Sequence, residues 1–96
     1  MSNYELHDLG GGRFELSGEM SFQTANAILK SSAQKFAGHE SLKVDLSRVG
    51  KADSAGLALL IEWKAQVNRR AATIEFVAVP ESLSAIATTT EVSDLI

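Results

Sequence analysis

The sequence predicts an α/β domain: a mixed four-stranded sheet with three to four helices in the order β-β-α-β-α-β-α. Three observations predict it. Apolar residues alternate over Tyr4–Leu9, Phe14–Leu16 and Leu42–Leu46, and a short β-rich run follows at Ile74–Val79. Segments with apolar residues at helical spacing separate the later strands, which implies parallel pairs joined by crossovers. A glycine triplet, Gly10-Gly11-Gly12, joins the first two strands directly and implies an antiparallel hairpin.

Taken in order, Tyr4, Leu6 and Leu9 outline the first strand, and Phe14 and Leu16 alternate with Arg13, Glu15 and Ser17 in the second. The glycines accept positive φ and so close the turn. A phosphate-cradling loop would need a helix after them, whereas Arg13-Phe14-Glu15-Leu16 has strand periodicity. Ser21 can cap a helix start. Phe22, Ala25, Ile28, Leu29, Ala33 and Phe36 then recur at helical spacing, and Gly38 is a left-handed stop. Leu42, Val44 and Leu46 alternate with Lys43 and Asp45, and residues 47–52 read as a connection. A second helix runs from Ser54 to about Arg70. Ile74, Phe76, Val77 and Val79 form the fourth strand. Pro80 suits the first turn of a last helix carrying Leu83, Ile86 and Ala87, and Val92, Leu95 and Ile96 pack as a final turn. Strands two and three alternate apolar with polar, so helices are expected to cover one sheet face and leave part of the other wet.

The 96 residues make one domain, spanning 1–96, which buries roughly 60–65% of its unfolded surface. Nine Lys and Arg against twelve Asp and Glu give a net charge of −3, which offers no footprint for phosphate backbones and argues against nucleic acid as a partner. With no cysteine, disulfide frameworks, Cys-based zinc sites and thiol nucleophiles are excluded. Met1-Ser2-Asn3-Tyr4-Glu5 has neither the basic nor the apolar region of a signal peptide. The longest strongly apolar run, Ala55 to Ile61, is far below the roughly 20 residues of a bilayer span. The expectation is a cytoplasmic chain that meets a membrane only through a partner, with no insertion of its own.

Catalysis finds little support. A Ser-His-acid arrangement would need Ser54 near His7 or His39, and neither histidine has triad- or ligand-like neighbours. Two isolated histidines make a poor metal site, and no phosphate-loop motif is present. The expectation is therefore no enzyme, no catalytic residue, no cofactor and no metal.

The informative stretch runs from Val44 to Leu60, where a strand feeds a loop and the loop feeds a helix opening on Asp53-Ser54-Ala55-Gly56. Asp53 or Ser54 can satisfy an orphan amide at the helix start, and negative charge is favoured there. Capping alone explains both residues. Gly56 asks for more, because glycine in a helix costs about 1 kcal/mol relative to alanine. It implies close approach to the backbone by a neighbouring loop or by a partner. Further along, Leu57, Leu60, Ile61 and Val67 share a broad arc on which Lys64 intrudes, with Leu59 and Trp63 at its edge. Trp63 either covers the rim of the core or, with Leu59, extends an exposed patch that starts at Ser54.

These residues resemble the STAS domain family over nearly the whole chain. The resemblance rests on the element order, on Ser17-Gly18-Glu19 after strand two, and on Asp45-Leu46-Ser47 followed by Asp53-Ser54-Ala55-Gly56-Leu57. With Ala58-Leu59-Leu60-Ile61-Glu62-Trp63 following, the chain is most similar to the MlaB-type members. The resemblance implies a non-catalytic subunit that binds and regulates or stabilises the ATPase of a phospholipid-transporting ABC complex maintaining outer-membrane lipid asymmetry. Through the ATPase it would reach a membrane permease, peripheral to the inner membrane. The alternative it implies is an anti-sigma factor antagonist switched by phosphorylation of Ser54. Two departures weaken the sigma-pathway reading more than the transporter reading. Ser21 stands where the antagonists usually carry an aspartate, and Ala55 stands where a second hydroxyl residue is common. The candidate partner-binding residues are Asp53, Ser54, Ala55, Gly56, Leu59 and Trp63.

Overall fold

The computed structural model describes residues 3–89. The elements follow as β1 (Tyr4–Gly10), β2 (Arg13–Met20), α1 (Ala25–Phe36), β3 (Ser41–Ala52), α2 (Ser54–Arg69), β4 (Thr73–Val77) and α3 (Glu81–Thr89). The sheet order is β1-β2-β3-β4, with β1 antiparallel to β2 and the two later pairs parallel. The expected mixed four-stranded sheet is therefore observed, with three helices among the described residues where three to four were expected. The final turn expected around Val92, Leu95 and Ile96 lies outside the described residues.

Strand alternation places Leu6, Phe14, Leu16, Leu42, Val44, Leu46 and Ile74 on the covered face of the sheet. Glu5, His7, Lys43 and Glu75 lie exposed on the other. The wet face neutralises itself in part, with Arg48 Nε 3.5 Å from the Glu15 carboxylate. At the far end of the helical layer, the Arg70 guanidinium donates to the carbonyls of His39 (2.7 Å) and Phe36 (3.0 Å), closing the end of α1 against the end of α2. Arg70 thereby satisfies carbonyls that a helix terminus leaves open.

Residues 47–52, expected as a connection, continue β3. Between Glu15↔Asp45 and Ser17↔Arg48, β3 carries one residue more than β2, and it does so again between Gly18↔Val49 and Glu19↔Lys51. Each extra residue is a bulge that shifts the inward-facing positions, so the strand runs to Ala52 without simple alternation. The Asp45 carboxylate sits at the first bulge and accepts the Ser47 amide at 2.8 Å. Hydrogen bonds from Ser47 hold Asp45 below the usual carboxylate range, with a smaller contribution from Arg48.

The first helix starts later than its spacing implied. Thr24 is the residue preceding α1, Ser21 is buried in the loop before it, and Phe22 projects outward with 85% of its surface exposed. Leu59 and Trp63 also differ from one expectation: they form no exposed patch. Leu59 is 3% exposed and Trp63 not at all. The physical reason is the position of α2, which contacts α1 on one flank, α3 on the other and β4 beneath. A helix enclosed on three sides buries a wider arc than one at the edge of a layer. The Trp63 ring lies 5.3 Å from Phe36 and 6.2 Å from Phe76, and its indole N–H donates to the Ser32 hydroxyl at 2.7 Å. A buried indole needs that acceptor.

Candidate functional site

The candidate site is the corner where β2 and β3 end and α2 begins. The two strand ends are locked together before any functional side chain is placed. The Asp53 amide donates to the Met20 carbonyl at 3.2 Å, which ties the start of α2 to the last residue of β2. Gly56 lies against the same residue. A Cβ there would stand 2.7 Å from the Met20 carbonyl oxygen and 3.1 Å from the Met20 Cβ. Contact within the chain thus accounts for the glycine, and Gly56 itself is buried. Between the two sequence readings of Gly56, the neighbouring segment is the one found.

Asp53 has extended backbone and caps α2, its Oδ1 accepting the Ala55 amide at 2.9 Å. This satisfies one orphan donor and places negative charge at the positive end of the helix. Its second oxygen, Oδ2, accepts the Phe22 amide at 3.2 Å across 31 residues of sequence. Capping was legible in the sequence, whereas the link to the loop before α1 was not.

That loop is built from polar side chains. Thr24 Oγ1 accepts the Ser21 amide at 2.9 Å and donates to the Glu19 carbonyl at 2.9 Å. Ser21 Oγ donates to the Glu19 carboxylate and accepts the Gln23 amide at 3.3 Å. The Lys51 ammonium stands 3.8 Å from the same Glu19 carboxylate, so the charge at the base of the loop is matched across the β2–β3 pair. Among the described residues, no buried side-chain polar atom lacks a partner.

Ser54 occupies the first turn of α2 and is exposed. Ala55 is half-buried and Ala58 exposed. Between α1 and α2 runs a shallow, mainly apolar groove of about 360 Å³, lined by Ala25, Asn26, Leu29, Ala55, Ala58 and Leu59, with Glu62 two turns along α2 from Ala55. Leu59 is the groove floor, and Trp63 lies beneath it in the core. Of the six sequence-predicted residues, Ser54 and Ala55 therefore reach the surface, Asp53 holds the corner together, Leu59 floors the groove, and Gly56 and Trp63 belong to the interior. The exposed residue that periodicity missed is Phe22, because its helical spacing from Ala25 and Leu29 read as core.

His7 is on β1, paired with Glu5 at 3.0 Å, and the His39 ring packs edge-on to Phe14 at 6.0 Å between centroids. His7 sits mid-strand on the exposed face of the sheet, and His39 precedes β3 whereas Ser54 follows it. Among the described residues, no group of three or more acidic or His side chains could hold a metal, and no helix is long and apolar enough to cross a membrane.

Comparison with known proteins agrees with this geometry. The family model described as "Mlab, STAS domain" matches residues 7–96. No protein of curated function matches the sequence. Among solved structures, the anti-sigma factor antagonist SpoIIAA in its unphosphorylated form superposes with a TM-score of 0.71 at 12% identity, over 96% of this chain and 84% of that one. The phosphorylated form of SpoIIAA, a Bacillus cell fate determinant, gives 0.69 at 12% identity over 96% and 86%. A sulfate transporter family protein from Wolinella succinogenes gives 0.67 at 18% identity, over 92% of this chain and 74% of that one.

Proposed function

The chain belongs to the STAS family in the branch described as Mlab, and from that premise we propose that it is a non-catalytic docking subunit of a phospholipid-transporting ABC complex. It binds the ATPase through the corner formed by Ser54, Ala55 and the groove between α1 and α2. Through the ATPase it reaches the membrane permease, and by binding one arrangement of the ATPase better than another it sets transport activity. The observation that carries this reading is that Ser54 is exposed in the first turn of α2, next in sequence to Ala55, which lines the groove between α1 and α2. Small side chains at Ala55 and Ala58 leave the backbone of α2 open to close approach.

The test is affinity purification from native membranes. The wild-type chain is expected to bring down an ABC ATPase and its permease, and Ser54→Arg, which places bulk and charge in the contact, is expected to lose both. Normal recovery of the complex by Ser54→Arg would refute the assignment of the surface.

A second reading has one observation in its favour. Ser54 is an exposed hydroxyl at a helix start, and the fold matches SpoIIAA in both its forms. Phosphate there would add a charge of about −1.5 to −2 next to the groove and change its partner. It is separated from the first reading by mass spectrometry of the protein after incubation with ATP and candidate serine kinases. Phosphate on Ser54 supports the switch, and its absence with every cognate kinase removes it.

A further inference from the structure

Phe22 is one of two large hydrophobic residues that stand exposed among the described residues, and the more exposed of the two. Burying an exposed aromatic ring is favourable, and a loop free to move would let it fold back onto the domain. The loop does not have that freedom. All five consecutive amides from Ser21 to Ala25 are bonded: Ser21 to Thr24 Oγ1 (2.9 Å), Phe22 to Asp53 Oδ2 (3.2 Å), Gln23 to Ser21 Oγ (3.3 Å), and Thr24 and Ala25 to the Ser21 carbonyl (3.0 and 2.9 Å). Four of these bonds are made within residues 21–25. The fifth comes from Asp53, beside Ser54.

We propose that Phe22 is a preorganised aromatic anchor that enters an apolar cleft on the ATPase, and that Asp53 is its positioning residue, holding the ring outward with the oxygen that does not cap α2. The inference rests on the docking function proposed above and adds the chemistry of the contact. Anchors held in their bound geometry lose little entropy on association, and aromatic anchors dominate interfaces. Asp53 is suited to the task because a carboxylate can accept at both oxygens. An asparagine keeps one acceptor and is an equally good helix cap, but its Nδ2 cannot accept the Phe22 amide.

Asp53→Asn therefore separates the two duties. In the isolated protein, hydrogen exchange followed by NMR is expected to speed up at the Phe22 amide by about tenfold, with the Ala55 amide unchanged. Unchanged exchange at Phe22 would overturn the positioning role without reference to any partner. For the anchor, the probe is the ABC ATPase subunit that co-isolates with the wild-type chain. Phe22→Ala is expected to weaken its binding by about 30-fold and Asp53→Asn by about 3- to 10-fold. The double variant should be no weaker than Phe22→Ala alone, because the two act through one side chain. Wild-type affinity in Phe22→Ala, while Ser54→Arg fails to bind, would overturn the anchor and leave the docking surface standing. Wild-type affinity in both would remove the surface and the anchor with it.

Discussion

Trp63 and Phe22 are large aromatic residues at opposite extremes of exposure, 0% and 85%. Each is fixed by a hydrogen bond that spans 31 residues, but the bond is to a different part of the residue. In Trp63 the side chain is held, its indole N–H on the Ser32 hydroxyl, and the ring is packed between Phe36 and Phe76. In Phe22 the backbone is held, its amide on the Asp53 carboxylate, and the ring is left in solvent. The first arrangement joins α1 to α2 through the core. The second joins the loop before α1 to the start of α2 at the surface. Long-range polar bonds thus fix both the interior of this domain and the corner it presents, and only in the corner do they leave apolar surface uncovered.

The contrast is sharpened by substitutions ranked by their expected cost. Trp63→Ala removes the largest fully buried side chain and the donor to the Ser32 hydroxyl, which keeps its own bond to the Leu29 carbonyl at 2.9 Å. It is expected to destabilise the fold by about 3–5 kcal/mol in denaturant unfolding. Loss of less than about 1 kcal/mol would mean that the ring is not a core element. Gly56→Ala comes next, because its Cβ would press on the Met20 carbonyl oxygen at 2.7 Å. Overpacking of this kind costs about 1–3 kcal/mol, and the strain falls on the seam between β2 and α2 that carries the corner. The smallest effect belongs to Phe22→Ala, which is expected to change stability by no more than about 0.5 kcal/mol. A larger destabilisation would show that the ring packs onto the domain, and the contrast with Trp63 would fail.

Local pattern accounts for what the sequence made legible. The glycine triplet, the alternation in β2 and the first half of β3, and the spacing of Ile28, Leu29 and Phe36 each report a period that the backbone obeys. The second half of β3 escaped because its two bulges each add a residue, and an alternation that slips twice in six positions resembles a loop. Trp63 remained ambiguous because the breadth of a buried arc depends on how many elements flank the helix, and α2 is enclosed by α1, α3 and β4. Phe22 was misplaced because its apolar character fits the helix that follows. What excludes it is the loop's own bonding through Ser21, Thr24 and Asp53, which no periodicity encodes. Asp53 and Ser54 were found as a pair, yet the structure divides their work: one builds the corner and the other lies open on it.

We propose the corner at Ser54 as a docking surface that can be altered without loss of the fold. Its most direct test is calorimetric titration of the purified ATPase subunit with the wild-type and Ser54→Arg chains, with thermal unfolding of both measured in parallel. The variant is expected to melt with the wild type and to give no heat of binding. Undiminished binding by a variant that melts with the wild type would contradict it.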